Sequence, residues 1–323
     1  MTMFRFVLLS VLSALIGLIP AAVSAQQYPN RPIRMILPLP PGASVDALAR
    51  LVSLKLSERL QQPVVVDNRP GGNMIIGAEA VARSAPDGYT LFLTMDLPLV
   101  ANPSLYSKLP YNAEKDFVPI SLLAVSPMVI TAHPKVPARN LKELVAYAKA
   151  NPNKLSFGAG VVAAQLAGEL FKMATGTDIV YVPFKGGGPT QQAVLGGVVD
   201  LAITDFTPVL PYLQNGRLIA MGTTGPKRDP LAPNVPTMIE QGYPDMELTN
   251  WIGLVAPAGT PPAILRKLNE EVVIVMAMPD VREKVSGLAV EPLTSTMEEM
   301  AARITQDSLK WGRIIKAAGV RLD

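Results

Sequence analysis

The chain has 323 residues, 49% of them hydrophobic, and its 29 Lys and Arg against 26 Asp and Glu leave a net charge of +3. A balance this close to neutral, with no Lys/Arg block, gives no electrostatic reason to expect nucleic acid or an anionic membrane surface as partner. With no cysteine the chain has no disulfide framework and no thiol nucleophile, and its one histidine, His133, precedes Pro134 in a loop, so neither a histidine-based triad nor a His-rich metal site is expected.

Residues 1–25 read as a secretory signal peptide. Arg5 precedes an apolar run over 6–19, Pro20 breaks the run, and Val23-Ser24-Ala25 supplies small residues for cleavage. Cutting after Ala25 removes Arg5, leaves 298 residues at net charge +2, and predicts an exported, soluble protein. That length and hydrophobic content suffice for a sizeable core split into two lobes. The 31 prolines fall mostly between periodic segments, as stiff turns.

Ile33, Met35, Ile36 and Leu37 form a short apolar strand that runs into Pro38-Leu39-Pro40-Pro41-Gly42-Ala43-Ser44. Beyond it, Val45, Leu48, Ala49, Val52, Leu56 and Leu60 recur at helical spacing. Ser44 is placed as an N-cap and Asp46 in the first turn, and Gly42 permits close backbone approach. A helix start of this kind serves either as a plain cap or as an anion site.

The pattern repeats with a strand over 64–66, a helix over 75–83 and a strand over 90–95, which implies parallel strands joined by right-handed crossovers. An extended run over 117–124 is read as a crossing to a second lobe. There a strand opens at 128–132, a helix follows over 141–150 with Asn140 as its cap, and strands at 155–157, 179–182, 200–204 and 218–222 alternate with helices at 164–174, 189–195 and 207–214. A second extended run over 247–256 returns to the first lobe. Helices over 262–278 and 297–318 close the chain.

Ligands of open α/β sheets bind beyond the carboxyl ends of the strands, so the loops there are the candidate site. Gly158-Ala159-Gly160-Val161-Val162-Ala163 matches a G-x-G-x-x-A pattern after a strand. Asp178 precedes its strand instead of ending it, however, and close approach to a smaller anion needs the same glycines. Lys185 to Gly188 lacks the spacing of a phosphate loop and reads as a flexible turn. Glu298 and Glu299 read as a solvated helix face. Asp205, beside Phe206 at a strand end, either accepts from a ligand or caps the next helix.

Several motifs together resemble the substrate-binding proteins of tripartite tricarboxylate transporters, the Bug family. They are Tyr28-Pro29-Asn30-Arg31-Pro32, the Pro-Pro-Gly turn with Asp46, Asn68-Arg69-Pro70-Gly71, Ala85-Pro86-Asp87-Gly88-Tyr89, Asn102-Pro103-Ser104-Leu105-Tyr106, Ala167-Gly168-Glu169-Leu170-Phe171 and Val235-Pro236-Thr237. The resemblance implies an α/β, two-lobed periplasmic-binding-protein fold, each lobe a mainly parallel sheet with flanking helices and the ligand cleft between them. It implies capture of a small carboxylate by backbone amides of one loop in each lobe, and delivery to a membrane permease, without catalysis.

The expected lobes are 26–122 with about 252–296, and 123–251, with 297–323 as a helix packed across both. The expected ligand contacts are Leu39, Gly42, Ala43, Ser44, Asp46, Met74, Ala159, Gly160, Val161, Val162, Gln165, Thr204, Asp205 and Phe206, with no catalytic residue, metal or cofactor, in a monomer. The chain departs from the family pattern at Pro98-Leu99, at Met74-Ile75 and at Val161, Val162 and Gln165, and Leu39, Met74, Ile75, Leu99, Val161, Val162 and Phe206 would line the cleft with apolar surface where relatives more often have Gly, Ser, Thr or His. They point to an aromatic or other apolar-bodied carboxylate. The alternatives left open are a secreted oxidoreductase or hydrolase using the turn at 158–163, and an extracytoplasmic sensor.

Overall fold

The computed structural model describes residues 28–322 apart from Ala43 and Ala289. The signal peptide with its cut after Ala25, and Ala43 as a ligand contact, lie outside the described residues.

β1 (Ile33–Leu37) is buried at Ile33, Met35, Ile36 and Leu37, on both faces, as a central parallel strand requires. It pairs in parallel with β2 (Val64–Asn68) and β3 (Thr90–Met95). The crossovers are α1 (Ser44–Leu60), which buries the predicted apolar stripe, and α2 (Ile75–Ala82). Two short helices, α3 (Leu97–Val100) and α4 (Asn102–Leu105), each start at a proline and lead to β4 (Phe117–Ala132).

The second set runs α5 (Leu141–Ala150), β5 (Ser156–Ala159), α6 (Val162–Thr175), β6 (Val180–Pro183), α7 (Gly187–Leu195), β7 (Leu201–Asp205), α8 (Leu210–Gln214) and β8 (Ile219–Thr223). Asn140 caps α5 as expected, its side chain accepting from the Glu143 N–H at 2.9 Å. β9 (Thr249–Pro257), α9 (Pro262–Ala277), α10 (Pro279–Gly287), the short β10 (Glu291–Pro292) and α11 (Met297–Ala318) complete the chain.

The strands form one mixed sheet in the order β2-β1-β3-β9-β4-β7-β5-β6, with β8 and β10 also on β4. β9 is antiparallel to β3, β4 to β9, and β7 to β4. The parallel sets β1 to β3 and β5 to β7 therefore run in opposite senses. Met95, ending β3, is level through Ile252 with Ala124 of β4, whereas Asp205, ending β7, is level with Met128. The carboxyl ends of the two sets thus point at one another across residues 124–128 of β4, roughly 13 Å of strand. This polarity creates the cleft.

Several expectations are corrected. The runs at 117–124 and 128–132 are one 16-residue strand, and Ser126-Pro127 passes through it. Pro127 is the last residue of β4 paired with β9 and Met128 the first paired with β7, so the missing N–H falls where the strand changes partner. α10 was not anticipated, although Pro279 and Asp280 at its start are the usual opening signals. α7 begins two residues early, inside the glycine run read as a turn. Glu298 and Glu299 are exposed on α11 as expected, and Glu299 in addition forms a capping box: it accepts from the Thr296 N–H at 2.9 Å, and the Thr296 hydroxyl accepts from the Glu299 N–H at 3.1 Å.

Candidate functional site

The first-lobe loop is held by Asp46. Its carboxylate accepts from the Gly42 N–H at 3.1 Å, from Arg50 at 3.0 and 3.1 Å, and from the Asn68 amide at 3.0 Å; Asn68 also donates to the Leu39 carbonyl. The Arg50 hydrogen bond, then those from Asn68 and Gly42, hold the Asp46 carboxyl down at about 2 against the opposing effect of burial. Asp46 is therefore a buried clasp for the loop, and its side chain is committed to protein. Ser44 is the first residue of α1 and is exposed. Gly42 has φ +92 with open space around its would-be Cβ, so the backbone conformation, and not a close approach, calls for glycine.

In the second lobe α6 starts with Val161 as N-cap, extended and without a side-chain hydrogen bond. The first-turn amides of a 14-residue helix are thus left without a side-chain cap at the carboxyl end of β5. Val161 is 54% exposed at this point. The parallel register Gly158↔Ala202 sets the end of β5, and with it the start of α6, beside the end of β7 on the neighbouring strand. Ala159 is buried, Gly160, Val162 and Gln165 are half-buried, and Gly160 packs against the backbone of Gly186. Gly158 faces Phe184 and Thr190. Packing therefore accounts for both glycines of the G-x-G-x-x-A pattern.

Asp205 is exposed to solvent, yet surrounding protein pushes its carboxyl upward by desolvation, against a hydrogen bond from Ser126. Both hold for a carboxylate that reaches solvent while protein surrounds most of its other sides. Thr204, 8% exposed, keeps a buried hydroxyl without a partner. Phe206 does not face a ligand: it is buried with Val129, Val194 and Val209 in the second-lobe core. Leu99 is likewise core. Leu39, Met74 and Ile75 stay half-buried near the first-lobe strand ends, with Met74 in the left-handed region at φ 72.

Sequence reasoning missed Ser126 and Asn250. They stand opposite one another on β4 and β9, in the stretches taken only as links between lobes. A strand polar residue flanked by apolar neighbours was the available signal. A cavity of about 820 Å³ lined by Leu99, Tyr111, Phe117, Pro119, Ile304 and Leu309 opens elsewhere. Its β4 lining, Phe117 and Pro119, lies roughly 20–30 Å along the strand from Ser126.

A family model for the tripartite tricarboxylate transporter family receptor matches residues 48–320. This chain belongs to that family. The receptor is 37% identical to protein BugT of Bordetella pertussis over 307 residues, 94% of each chain. The solved periplasmic binding protein BugD is 34% identical, with a TM-score of 0.73 over 91% of this receptor and 99% of that chain. An R. palustris protein solved with adipate is 30% identical, with a TM-score of 0.76 over 91% and 99%. The receptor accordingly has the two-lobed periplasmic-binding-protein fold, in a family of solute receptors.

Proposed function

We propose that this receptor captures a small organic carboxylate in the periplasm, after export and cleavage at Ala25, and delivers it as a monomer to a tripartite tricarboxylate-type permease, without chemical change. The observation that carries this reading is the start of α6, whose first-turn amides lack a side-chain cap and open between the facing carboxyl ends of the two strand sets. An anion docks there by hydrogen bonds and by the helix dipole. The relative that holds adipate supports a carboxylate as the class of ligand.

An apolar-bodied acid remains the preferred ligand, on a smaller surface than the sequence suggested. Leu39, Met74 and Val161 supply that surface, since Leu99 and Phe206 are core and Ile75 and Val162 pack against it. Each 100 Å² of apolar contact favours such a body by about 2.5 kcal/mol. Thermal-shift measurements over benzoate-type acids, dicarboxylates, citrate and amino acids, followed by calorimetry, test the reading. Stabilisation by one class of small carboxylate is expected. If no carboxylate shifts the melting temperature, or a bound acid is chemically converted, the reading fails.

A further inference from the structure

Residues 124–128 of β4 lie between the two sets of carboxyl ends, and the side chains presented there decide what the cleft floor can recognise. Ser126 of β4 is directly opposite Asn250 of β9, and directly opposite residues share a face of the sheet. Two residues on, Met128 is opposite Asp205 of β7, so Asp205 falls on the same face, and its hydrogen bond with Ser126 joins the two. Trp251, next to Asn250, points the other way and donates to Asp307 on α11 at 2.9 Å. The row Asn250, Ser126, Asp205 spans two strand spacings, roughly 10 Å, the length of a small acid.

Its chemistry is that of an acceptor. Asn250 is 6% exposed, and its Oδ1 is buried without any partner. A buried carbonyl left unmatched is destabilising unless a ligand or water donates to it. Asp205 adds a carboxylate at the mouth of the same row. That carboxylate also ends β7 beside the start of α6, where the ligand's own carboxylate is proposed to dock. Two neighbouring carboxylates repel unless a donor stands between them.

We propose that Asp205, Ser126 and Asn250 form the acceptor end of the binding site, selecting a carboxylate that also carries a hydroxyl or ammonium group. This rests on the carboxylate reading above and refines it. The acid end meets the amides of α6, the donor meets Asp205 and the Asn250 carbonyl, and the apolar body meets the half-buried rim.

Calorimetry on two matched series tests it: phenylacetate, mandelate and phenylglycine, and propanoate, lactate and alanine. In the wild type a donor-bearing member of at least one series binds about tenfold or more tighter than its parent acid, as a hydrogen bond to a charged or buried acceptor implies. Asp205→Asn and Asn250→Leu each reduce that ratio to about threefold or less, with Asp205→Asn acting more on the ammonium than on the hydroxyl member. Thermal melts confirm that the variants fold; should Asn250→Leu not fold, Ser126→Ala with Asp205→Asn carries the comparison. Parent acids binding as well as their donor-bearing partners, or an advantage that survives in the folded variants, overturns this inference and leaves the carboxylate reading standing. No binding in either series overturns both.

Discussion

Gly186 donates its backbone N–H to the carbonyl of Gly160 at 2.9 Å, and a Cβ on Gly160 would stand 2.0 Å from the Gly186 carbonyl oxygen. The glycine is there so that the loop after β5 and the start of α7 can touch. Gly160→Ala must push these two backbones apart, at a cost of about 1–3 kcal/mol, and it displaces the α6 start with them. A lower melting temperature and weaker ligand binding are expected together. Gly42→Ala meets no neighbour and carries only the strain of its positive φ, about 1 kcal/mol. A Gly160→Ala protein that melts with the wild type would show that the loop contact is dispensable.

Asp46→Ala leaves the Gly42 N–H, the Arg50 guanidinium and the Asn68 amide without their shared acceptor, and stability should fall by about 2 kcal/mol at neutral pH. The folded-state carboxyl is held below its ordinary value, so its contribution is present in full above about pH 4 and is lost as the pH falls through about 2. Urea titrations should show the gap between variant and wild type closing on the acid side. A gap independent of pH would mean that the clasp is not ionic.

Asp96, at the end of β3, behaves in the opposite sense. Burial first, and then the neighbouring Asp307, push its carboxyl up to about 7, with Arg303 acting the other way. The folded protein keeps a proton that the unfolded chain releases near pH 4. Folding therefore takes up a proton between pH 4 and 7, and stability falls as the pH rises through that window. The loss assignable to Asp96 is on the order of 4 kcal/mol. Asp96→Asn should gain on the wild type with rising pH in urea midpoints at pH 4.5, 6 and 8. A constant difference would place an ionised carboxylate at Asp96 throughout.

The alternating apolar pattern made the strand and helix inventory legible, because periodicity reports which face of an element is buried. The stripe from Val45 to Leu60 and the Asn140 cap depend only on neighbours along the chain, and both are found in the structure. Local signals could not say that 117–124 and 128–132 are one strand, since Pro127 reads as a break until β4 is seen to exchange β9 for β7 at that residue.

The candidate site divides in the same way. The sequence by itself placed the helix starts at Ser44 and near Val161, because each follows a strand and a glycine turn. Only the tertiary structure decided which side chains face the cleft: it turned Phe206 and Leu99 into the core and drew Asp46 inward to its own loop. It also set Ser126 between Asn250 and Asp205. The reason is physical: helix and strand periods fix which residues share a face, whereas which face meets solvent depends on partners far away in the chain.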